Sequence, residues 1–441
     1  MLTVDEALEL VLARGVARPP GRVPLTAALG LLLAEDVATD LDSPPWDKSI
    51  VDGYAVRAAD VATVPARLRV VDEVLAGGVP NRSLAAGKAT RIMTGAPIPD
   101  GCDAVVMVEQ TRPVASAAAP VDATGRAWGD RGTSDEVWID RAGVTAGQNI
   151  LRRGASMHAG DLVLSAGRVL RPVDLGLAAE AGRGELVAIA RPRVAVLSTG
   201  DELVPANVRP APGQIRNSNG PMLEALVTRS GGEPLSLGVA RDDRDDLRRH
   251  MAAGLAAADV LVLSGGVSAG AVDLVPQVLA ELGVEQVFHK LRLKPGKPLW
   301  FGVLPAARVA DCRSAAKLAA DDADAPRGDR LVFGLPGNPV SSLVGFELFV
   351  RPAIDRLAGR TATERRGARA RLTADFVHKG DRPTFHPSVV RAAPGGWSVE
   401  PLRWKGSADL RTAAAANALA HFAAGEHRYA AGETVEVILL D

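Results

Sequence analysis

The stretch ADVLVLSGGVSAGAVD, residues 258–273, decides the fold of this 441-residue chain. Its apolar run at residues 260–263 predicts a strand buried on both faces, followed by a loop of small residues and a helix over 274–282. In an open parallel sheet such a loop lies at the carboxyl edge, where glycine N–H groups can approach an anion. Asp273 at the mouth of the loop fits either a divalent cation that bridges carboxylate and anion or a helix N-cap, and both alternatives stay open.

A regular alternation of strands and helices surrounds this stretch. The pattern predicts strands over residues 194–198, 235–240, 285–293, 299–303 and 331–335, and helices over 217–230, 245–257 and 340–357. This alternation is typical of a doubly wound α/β domain. Short strands broken by glycine and proline follow from residue 361 and predict a small β domain. Residues 112–136 and 306–330 lack periodicity, and we expect a mobile loop and a surface insertion there.

The composition excludes several classes of function. A formal net charge of −1 and 4% aromatic residues give neither the basic field nor the stacking platforms of a nucleic-acid-binding protein. Cys102 and Cys312 have no spacing for a disulfide framework or a zinc site, which fits a reduced cytosol and a cytoplasmic protein. The N-terminus has an amphipathic helical pattern and not that of a signal peptide, and no apolar run is long enough for a membrane span. The chain also lacks a Walker loop, a GxGxxG motif and an evident nucleophile set.

Polar or glycine-rich residues follow nearly every predicted strand, at residues 198–202, 241–243, 264–270, 294–298 and 334–339. Because the loops of a parallel sheet converge at one edge, the carboxylates Glu202, Asp242 and Asp273 are expected near Lys294 and Lys297. Such a set suits a phosphorylated substrate and a hard cation such as Mg²⁺. Each loop alone has a plainer interpretation: the Lys-Pro-Gly-Lys-Pro segment as an exposed turn, and Glu202 as a solvated carboxylate.

Several segments in register carry a resemblance to a known family. Residues 46–55, WDKSIVDGYA, are similar to the PxFDNSAMDGYA segment of molybdopterin molybdotransferases, the MoeA proteins and the E domain of gephyrin. Residues 91–99, 147–154, 198–203, 264–273, 293–298 and 334–341 match further family segments in the same order. The resemblance covers nearly the whole chain.

The resemblance implies a multidomain fold with four parts. Residues 1–46 and 147–190 would form an elongated N-terminal domain, and residues 47–146 an inserted small β domain. Residues 191–360 would form the molybdopterin-binding α/β domain, and residues 361–441 a C-terminal domain like a β-barrel. Members form homodimers whose active site is shared between subunits, so Asp52 and Thr94 would complete in trans a site that the other subunit provides.

The family reaction takes adenylylated molybdopterin and molybdate, releases AMP and depends on Mg²⁺. By resemblance, the catalytic residues would be Asp52, Thr94, Glu202, Asp273, Lys294 and Lys297, with Glu202 and Asp273 as the Mg²⁺ ligands. The substrate-binding residues would be Ser264, Gly265, Gly266, Ser268, Gly270, Pro295, Gly296, Pro298, Pro336, Gly337, Asn338, Pro339, Ser341 and Ser407. A molybdopterin adenylyltransferase and molybdoenzymes are the implied partners, with no nucleic acid and no membrane.

The chain also departs from the family pattern. Ala155 and Ser156 stand where many members carry an acidic pair, which puts a functional carboxylate there in doubt. Two alternatives are a molybdopterin adenylyltransferase, against which the extra terminal regions argue, and a non-enzymatic molybdopterin-binding scaffold, which the missing carboxylate favours. The sequence does not separate molybdate from tungstate, because both are tetrahedral oxyanions of similar size.

Overall fold

The computed structural model describes residues 1–114, 135–267, 274–316, 328–361 and 367–440. The chain divides into a main unit of residues 1–34, 167–171 and 186–441 and a second unit of residues 35–166 and 172–185. Most of the loop expected at 112–136 and part of the insertion expected at 306–330 lie outside the described residues. No helix within the described ranges is both long and apolar enough to cross a membrane.

A six-stranded sheet forms the centre of the main unit. Its strands are β1 (Arg193–Thr199), β2 (Glu233–Ala240), β3 (Val260–Ser264), β4 (Glu285–His289), β5 (Trp300–Leu304) and β6 (Arg330–Leu335), in the spatial order β2-β1-β3-β6-β5-β4. The strands β1, β2, β3 and β6 run parallel, whereas β5 is antiparallel to both β6 and β4. The sheet is therefore mixed, whereas the convergence of the loops was argued for a parallel sheet. Residues 290–299 return the chain directly from β4 to β5, so this connection still lies at the carboxyl edge.

Helices cover both faces of this sheet. They are α1 (Asn219–Arg229), α2 (Arg244–Ala257), α3 (Leu274–Glu281), α4 (Val309–Ala316), α5 (Pro339–Gly345) and α6 (Arg351–Leu357), and a π-helical turn, Phe346–Val350, joins α5 to α6. Val194 and Val260 pack with α1, α5 and α6, while their neighbours Ala195 and Leu261 pack with α2, α3 and α4. Successive strand residues point to opposite faces, so both faces are buried and the doubly wound prediction is confirmed.

One part of the expected surface insertion is instead structural. The helix α4 lies within residues 306–330 and buries Val309 and Cys312 in the core shared with α2 and α3. Burial raises the pKa of the Cys312 thiol to about 11, and that of the partly buried Cys102 thiol to about 12. Both cysteines are free and are held as neutral thiols.

The main unit also contains an N-terminal helix and a C-terminal barrel. Helix Val4–Arg14 starts with a capping box between Thr3 and Glu6. The barrel has strands β7 (Gly367–Leu372), β8 (Phe376–Gly380), β9 (Thr384–Ala393), β10 (Gly396–Pro401), β11 (Ala418–Phe422), β12 (Gly425–Tyr429) and β13 (Thr434–Leu439), with helix α7 (Leu410–Ala415) before β11. It closes in the order β7-β10-β9-β11-β13, and β8 pairs with β12. The closed barrel confirms the predicted C-terminal β domain. The N-terminal helix and the barrel share a hydrophobic core with the α/β domain.

The second unit is built on a six-stranded sheet. Its strands are, in spatial order, Ala104–Met107, Gly53–Val56, Lys88–Ile92, Ala66–Val74, Glu136–Ile139 and Thr111–Pro113. A side chain on Gly53 would overlap the carbonyl of Val106, so only glycine allows these two strands to pair here. The unit also contains helix Pro172–Glu180 and two short strand pairs, Lys48–Ser49 with Ile150–Leu151 and Val37–Ala38 with Leu162–Leu164. A separate small sheet of strands Pro20–Pro24, Leu32–Leu33 and Glu185–Ile189 belongs, apart from Glu185, to the main unit. The four domain boundaries stay a prediction.

Candidate active site

The loop after β3 depends on two glycines. Gly265 and Gly266 have φ angles of 99° and 65°, in the left-handed region that favours glycine. A Cβ atom on Gly265 would lie 2.6 Å from the carbonyl oxygen of Thr199, at the end of β1. Small residues are therefore required where the loop packs against the neighbouring strand. The predicted residues Ser268, Gly270 and Asp273 lie outside the described residues.

A cavity of about 900 Å³ opens at the carboxyl edge of the sheet, which we call the sheet-edge cavity. The predicted residues that line it are Glu202, Ser264, Gly265, Gly266, Pro298, Pro336, Gly337, Asn338 and Pro339, together with Asp242. The Glu202 carboxylate lies directly over Gly200, where a Cβ atom would overlap it. Loops from five different strands thus meet at one cavity, as their positions after the strands predict.

Asn219, at the start of α1, contacts two of the loops that line this cavity. Its side-chain amide donates to Ser264 Oγ and to the Gly337 carbonyl, both at 2.7 Å. Its Oδ1 atom and Thr199 Oγ1 are buried without a hydrogen-bond partner among the described residues. Buried polar atoms are normally paired, so these two atoms favour a ligand with polar groups. Asn219 is not among the predicted site residues, because no sequence motif marks it.

A second cavity, of about 510 Å³, contains both predicted lysines, and we call it the lysine pocket. Predicted residues in its lining are Lys294, Pro295, Gly296, Lys297, Pro298, Pro336, Asn338, Ser341 and Ser407, and residues that were not predicted are Arg382, Trp404, Lys405 and Gly406. Pro298, Pro336 and Asn338 line both cavities, which therefore adjoin. Lys405 lies two residues before Ser407, so the segment that predicts Ser407 also contains Lys405. Arg382 lies in the barrel, and no sequence motif next to it marks it as a site residue.

Backbone hydrogen bonds hold the segment that carries the lysines. Within the segment, the Leu291 N–H donates to the Lys297 carbonyl at 2.9 Å. On the barrel side, the Lys294 N–H donates to the Pro383 carbonyl at 3.0 Å, and the Phe385 N–H donates to the Lys294 carbonyl at 2.9 Å. The Arg382 guanidinium donates to the Leu293 carbonyl at 3.1 Å. The barrel thus fixes the backbone from which both lysines project.

The positive charge of the lysine pocket is largely unneutralised. Within the part of the chain that the structure describes, Lys294, Lys297 and Lys405 form no ion pair, and Arg382 lies 3.3 Å from the exposed Asp381. Burial lowers the pKa of His386 and His378 in the adjoining barrel, and the charge of Lys294 lowers both further. Both histidines therefore add little positive charge, and the charge that suits the pocket to an anion comes from its lysines and Arg382.

Asp52 and Thr94 lie together in the second unit. The Thr94 N–H and hydroxyl both donate to Asp52 Oδ1, each at 2.7 Å. These hydrogen bonds lower the pKa of the exposed Asp52 carboxyl, with a smaller contribution from Arg91. The structure thus pairs the two residues with each other as a fixed carboxylate. The described residues contain no group of three or more His, Cys, Asp or Glu side chains that could hold a metal ion.

Comparison with known proteins gives matches along the whole chain. Family models match as MoeA N-terminal region (domain I and II) at residues 2–182, probable molybdopterin binding domain at 195–356 and MoeA C-terminal region (domain IV) at 369–440. A molybdopterin molybdenumtransferase of Bacillus subtilis (strain 168) is 32% identical over 443 residues, covering 100% of this chain and 94% of the relative. One from Nostoc sp. is 34% identical over 424 residues, covering 95% and 88%.

A solved structure has the same overall fold. It is a molybdopterin biosynthesis MoeA protein from Pyrococcus horikoshii, with a TM-score of 0.72, 30% identity and coverage of 100% of this chain and 99% of that one. The sheet with its glycine loop and edge cavities thus defines a protein with a molybdopterin-binding α/β domain. The chain belongs to the MoeA family of molybdopterin molybdenumtransferases, and it is a transferase of molybdenum cofactor biosynthesis.

Proposed function

We propose that this chain transfers molybdenum from molybdate to adenylylated molybdopterin with release of AMP, as a Mg²⁺-dependent homodimer in the cytoplasm. The observation that supports this most directly is the adjacency of the sheet-edge cavity and the lysine pocket. The sheet-edge cavity is the larger of the two, and two buried oxygens in its lining have no hydrogen-bond partner among the described residues. The lysine pocket is cationic. An organic phosphate and a small oxyanion could therefore lie side by side. In this proposal an adenylyltransferase supplies the substrate and molybdoenzymes receive the product.

The lysines reduce the repulsion between the two substrates. Molybdate and the phosphates of the pterin nucleotide are all anions, so they approach only if cations offset their charge. Lys294 and Lys297 supply ammonium donors, and Arg382 and Ser407 line the same pocket. Asn219 Oδ1 and Thr199 Oγ1 are placed to bind polar groups of the pterin nucleotide in the adjoining cavity. The chain's own residues therefore bind and orient both reactants.

The carboxylates of the sheet-edge cavity fit a magnesium ion. Mg²⁺ is usually held by one or two carboxylates together with substrate phosphates and water, and not by a full protein cage. Glu202 lines the cavity, and Asp273 follows the glycine loop in sequence. These two residues would hold Mg²⁺, which would offset the negative charge of the phosphate linkage that breaks. Asp242 lines the same cavity and is a further candidate ligand.

The release of AMP tests the proposed reaction. Wild-type protein with Mg²⁺ is expected to release AMP from adenylylated molybdopterin faster when molybdate is present, and Asp273→Asn to lose that dependence. Folding of the variant is checked by circular dichroism. Release of AMP by neither protein would contradict the proposal and favour the scaffold alternative, with Ser156 as the first residue to change to Asp. Formation of adenylylated molybdopterin from ATP would favour an adenylyltransferase.

Mixed dimers test the shared site. If Asp52 acts from the partner subunit, a dimer of one Asp52→Asn and one Lys297→Ala chain contains one site with both residues intact. Refolding the two inactive variants together at equal amounts should then restore about a quarter of wild-type activity, since half of the dimers are mixed. If both residues act within one subunit, the mixture stays inactive. Analytical ultracentrifugation gives the oligomeric state independently.

A further inference from the structure

A third cavity, of about 530 Å³, lies in the main unit, and we call it the arginine cavity. Its lining includes Arg229, Arg351, Asp355 and Arg360, with an apolar side formed in part by Leu32 and Val169. Among the described residues, it shares no lining residue with the sheet-edge cavity or the lysine pocket. Arg229 ends α1, whose first residue Asn219 lies at the sheet-edge cavity, so about 15 Å of helix separates the two.

The arginines of this cavity form a chain of alternating charge with two carboxylates. Glu347, only 1% exposed, pairs with Arg229 on one side and with Arg351 Nε at 2.9 Å on the other. Asp355 lies 3.7 Å from Arg351 and 3.1 Å from Arg360. Three guanidinium groups therefore meet two carboxylates, so among the described residues of this cluster positive charge exceeds negative charge by one.

Two donors in this cluster also lack acceptors among the described residues. Arg351 Nη2 and Arg360 Nε are buried without a hydrogen-bond partner among the described residues, and Arg351 is only 7% exposed. Arg360 uses its other nitrogens to donate to the carbonyls of Gly30 and Ser230, at 2.8 Å and 3.3 Å, which fixes its position. Leaving a buried guanidinium donor unpaired costs free energy, so an acceptor from outside the chain is favoured.

We propose that the arginine cavity binds a small organic anion through an oxyanion head, a carboxylate or a phosphate. The head would accept hydrogen bonds from Arg351 Nη2 and Arg360 Nε and offset the surplus charge. Leu32 and Val169 would contact an apolar part of the same molecule. This is a second ligand site, distinct from the proposed reaction site.

Titration with two simple probes tests the site. Inorganic phosphate is followed by ³¹P NMR and acetate by ¹H NMR, each added to the full-length protein at low ionic strength. Saturable binding is expected for at least one probe in wild type and in Lys297→Met, which weakens the other anion pocket. Binding of phosphate alone would identify a phosphate head, and binding of acetate alone a carboxylate head. No saturable binding of either probe to Lys297→Met would overturn the proposal.

Two variants place the binding in the arginine cavity. Val169 is 44% exposed, so Val169→Glu adds a carboxylate to the lining with little effect on packing. Arg229→Gln removes one cation and leaves Glu347 paired with Arg351. Made in the Lys297→Met background, each should weaken binding at least about tenfold. The matched control Val173→Glu, at a valine 68% exposed outside the cavity, should not. Equal affinity in all these proteins would show that the anion binds elsewhere and would overturn the site.

Discussion

The lysine pocket and the arginine cavity lie in one structural unit but arrange positive charge in opposite ways. The lysines of the pocket are exposed or half-buried and form no ion pair with the described residues. The arginines of the cavity each pair with a carboxylate, and one of those carboxylates is almost fully buried. A buried cation is stable only when it is paired, whereas a hydrated ammonium needs no partner. The first arrangement therefore favours ligand exchange, and the second contributes first to the fold.

The largest expected effect concerns this contribution to the fold. Glu347→Gln should reduce the free energy of unfolding by about 3–5 kcal/mol, because it removes the buried charge that pairs with the buried Arg351 and with Arg229. The matched control is Glu281→Gln, since Glu281 also lies between two arginines, Arg244 and Arg248, but its side chain is 34% exposed. That change should cost less than about 1 kcal/mol. Urea unfolding measures the free energy of unfolding of both variants. Equal losses would contradict the proposal that the buried carboxylate stabilises the fold more than the exposed one.

The second effect concerns the lysine pocket. Lys297→Met should slow molybdate-dependent AMP release about 100-fold, because it removes a donor to an anion. Its free energy of unfolding should stay within about 0.5 kcal/mol of wild type, because Lys297 is exposed and forms no ion pair with the described residues. Steady-state assays and urea unfolding measure the two quantities. Lys379→Met, at an exposed lysine outside both cavities, is the control. A large loss of stability in Lys297→Met would show that the pocket is structural.

A third prediction extends the comparison to a carboxylate that is stabilised mainly by hydrogen bonds, that of Asp52. Thr94→Val should raise the pKa of Asp52 towards its ordinary value, because the hydroxyl donor is lost while the backbone donor remains. Asp52 would then take up a proton at higher pH than in wild type, and Thr94→Ser should restore the low pKa. ¹³C NMR titration of the carboxyl carbon measures this. The control is Thr111→Val, whose hydroxyl donates to a carbonyl and not to a carboxylate.

The smallest expected effect tests whether the charge of the lysine pocket extends into the barrel. Lys294→Met should raise the pKa of His386, because one charge that disfavours its protonation is removed. Since burial keeps the folded-state pKa below the unfolded one, this histidine's contribution to stability is present above about pH 6.5 and declines as the pH falls. Lys88→Met is the control, because Lys88 is not among the charges that shift the pKa of His386. This change should leave the pKa at its wild-type value. Imidazole titration by NMR measures the shift, and identical values in all three proteins would contradict the prediction.

The sequence predicts the α/β domain well because its buried strands are continuous apolar runs, as at residues 260–263. It predicts the sheet-edge loops for the same reason, since each follows such a run. It does not predict the direction of β5, because a short apolar run carries no sign of parallel or antiparallel pairing. Arg382 was missed because only the folded barrel brings it to the lysine pocket. Glu347 and Arg351 were missed because an i,i+4 pair is typical of exposed helices and does not indicate burial.

The hydrogen bonds between the barrel and residues 293–294 have an entropic consequence. Ordering a flexible loop costs roughly 1–2 kcal/mol per residue, and a loop that orders only when its ligand arrives subtracts this cost from the affinity. Here the backbone of the lysine segment is immobilised when the chain folds, so the cost does not recur in each catalytic cycle. The C-terminal barrel therefore keeps the proposed binding segment in one backbone conformation, although most of its own residues lie outside the pocket.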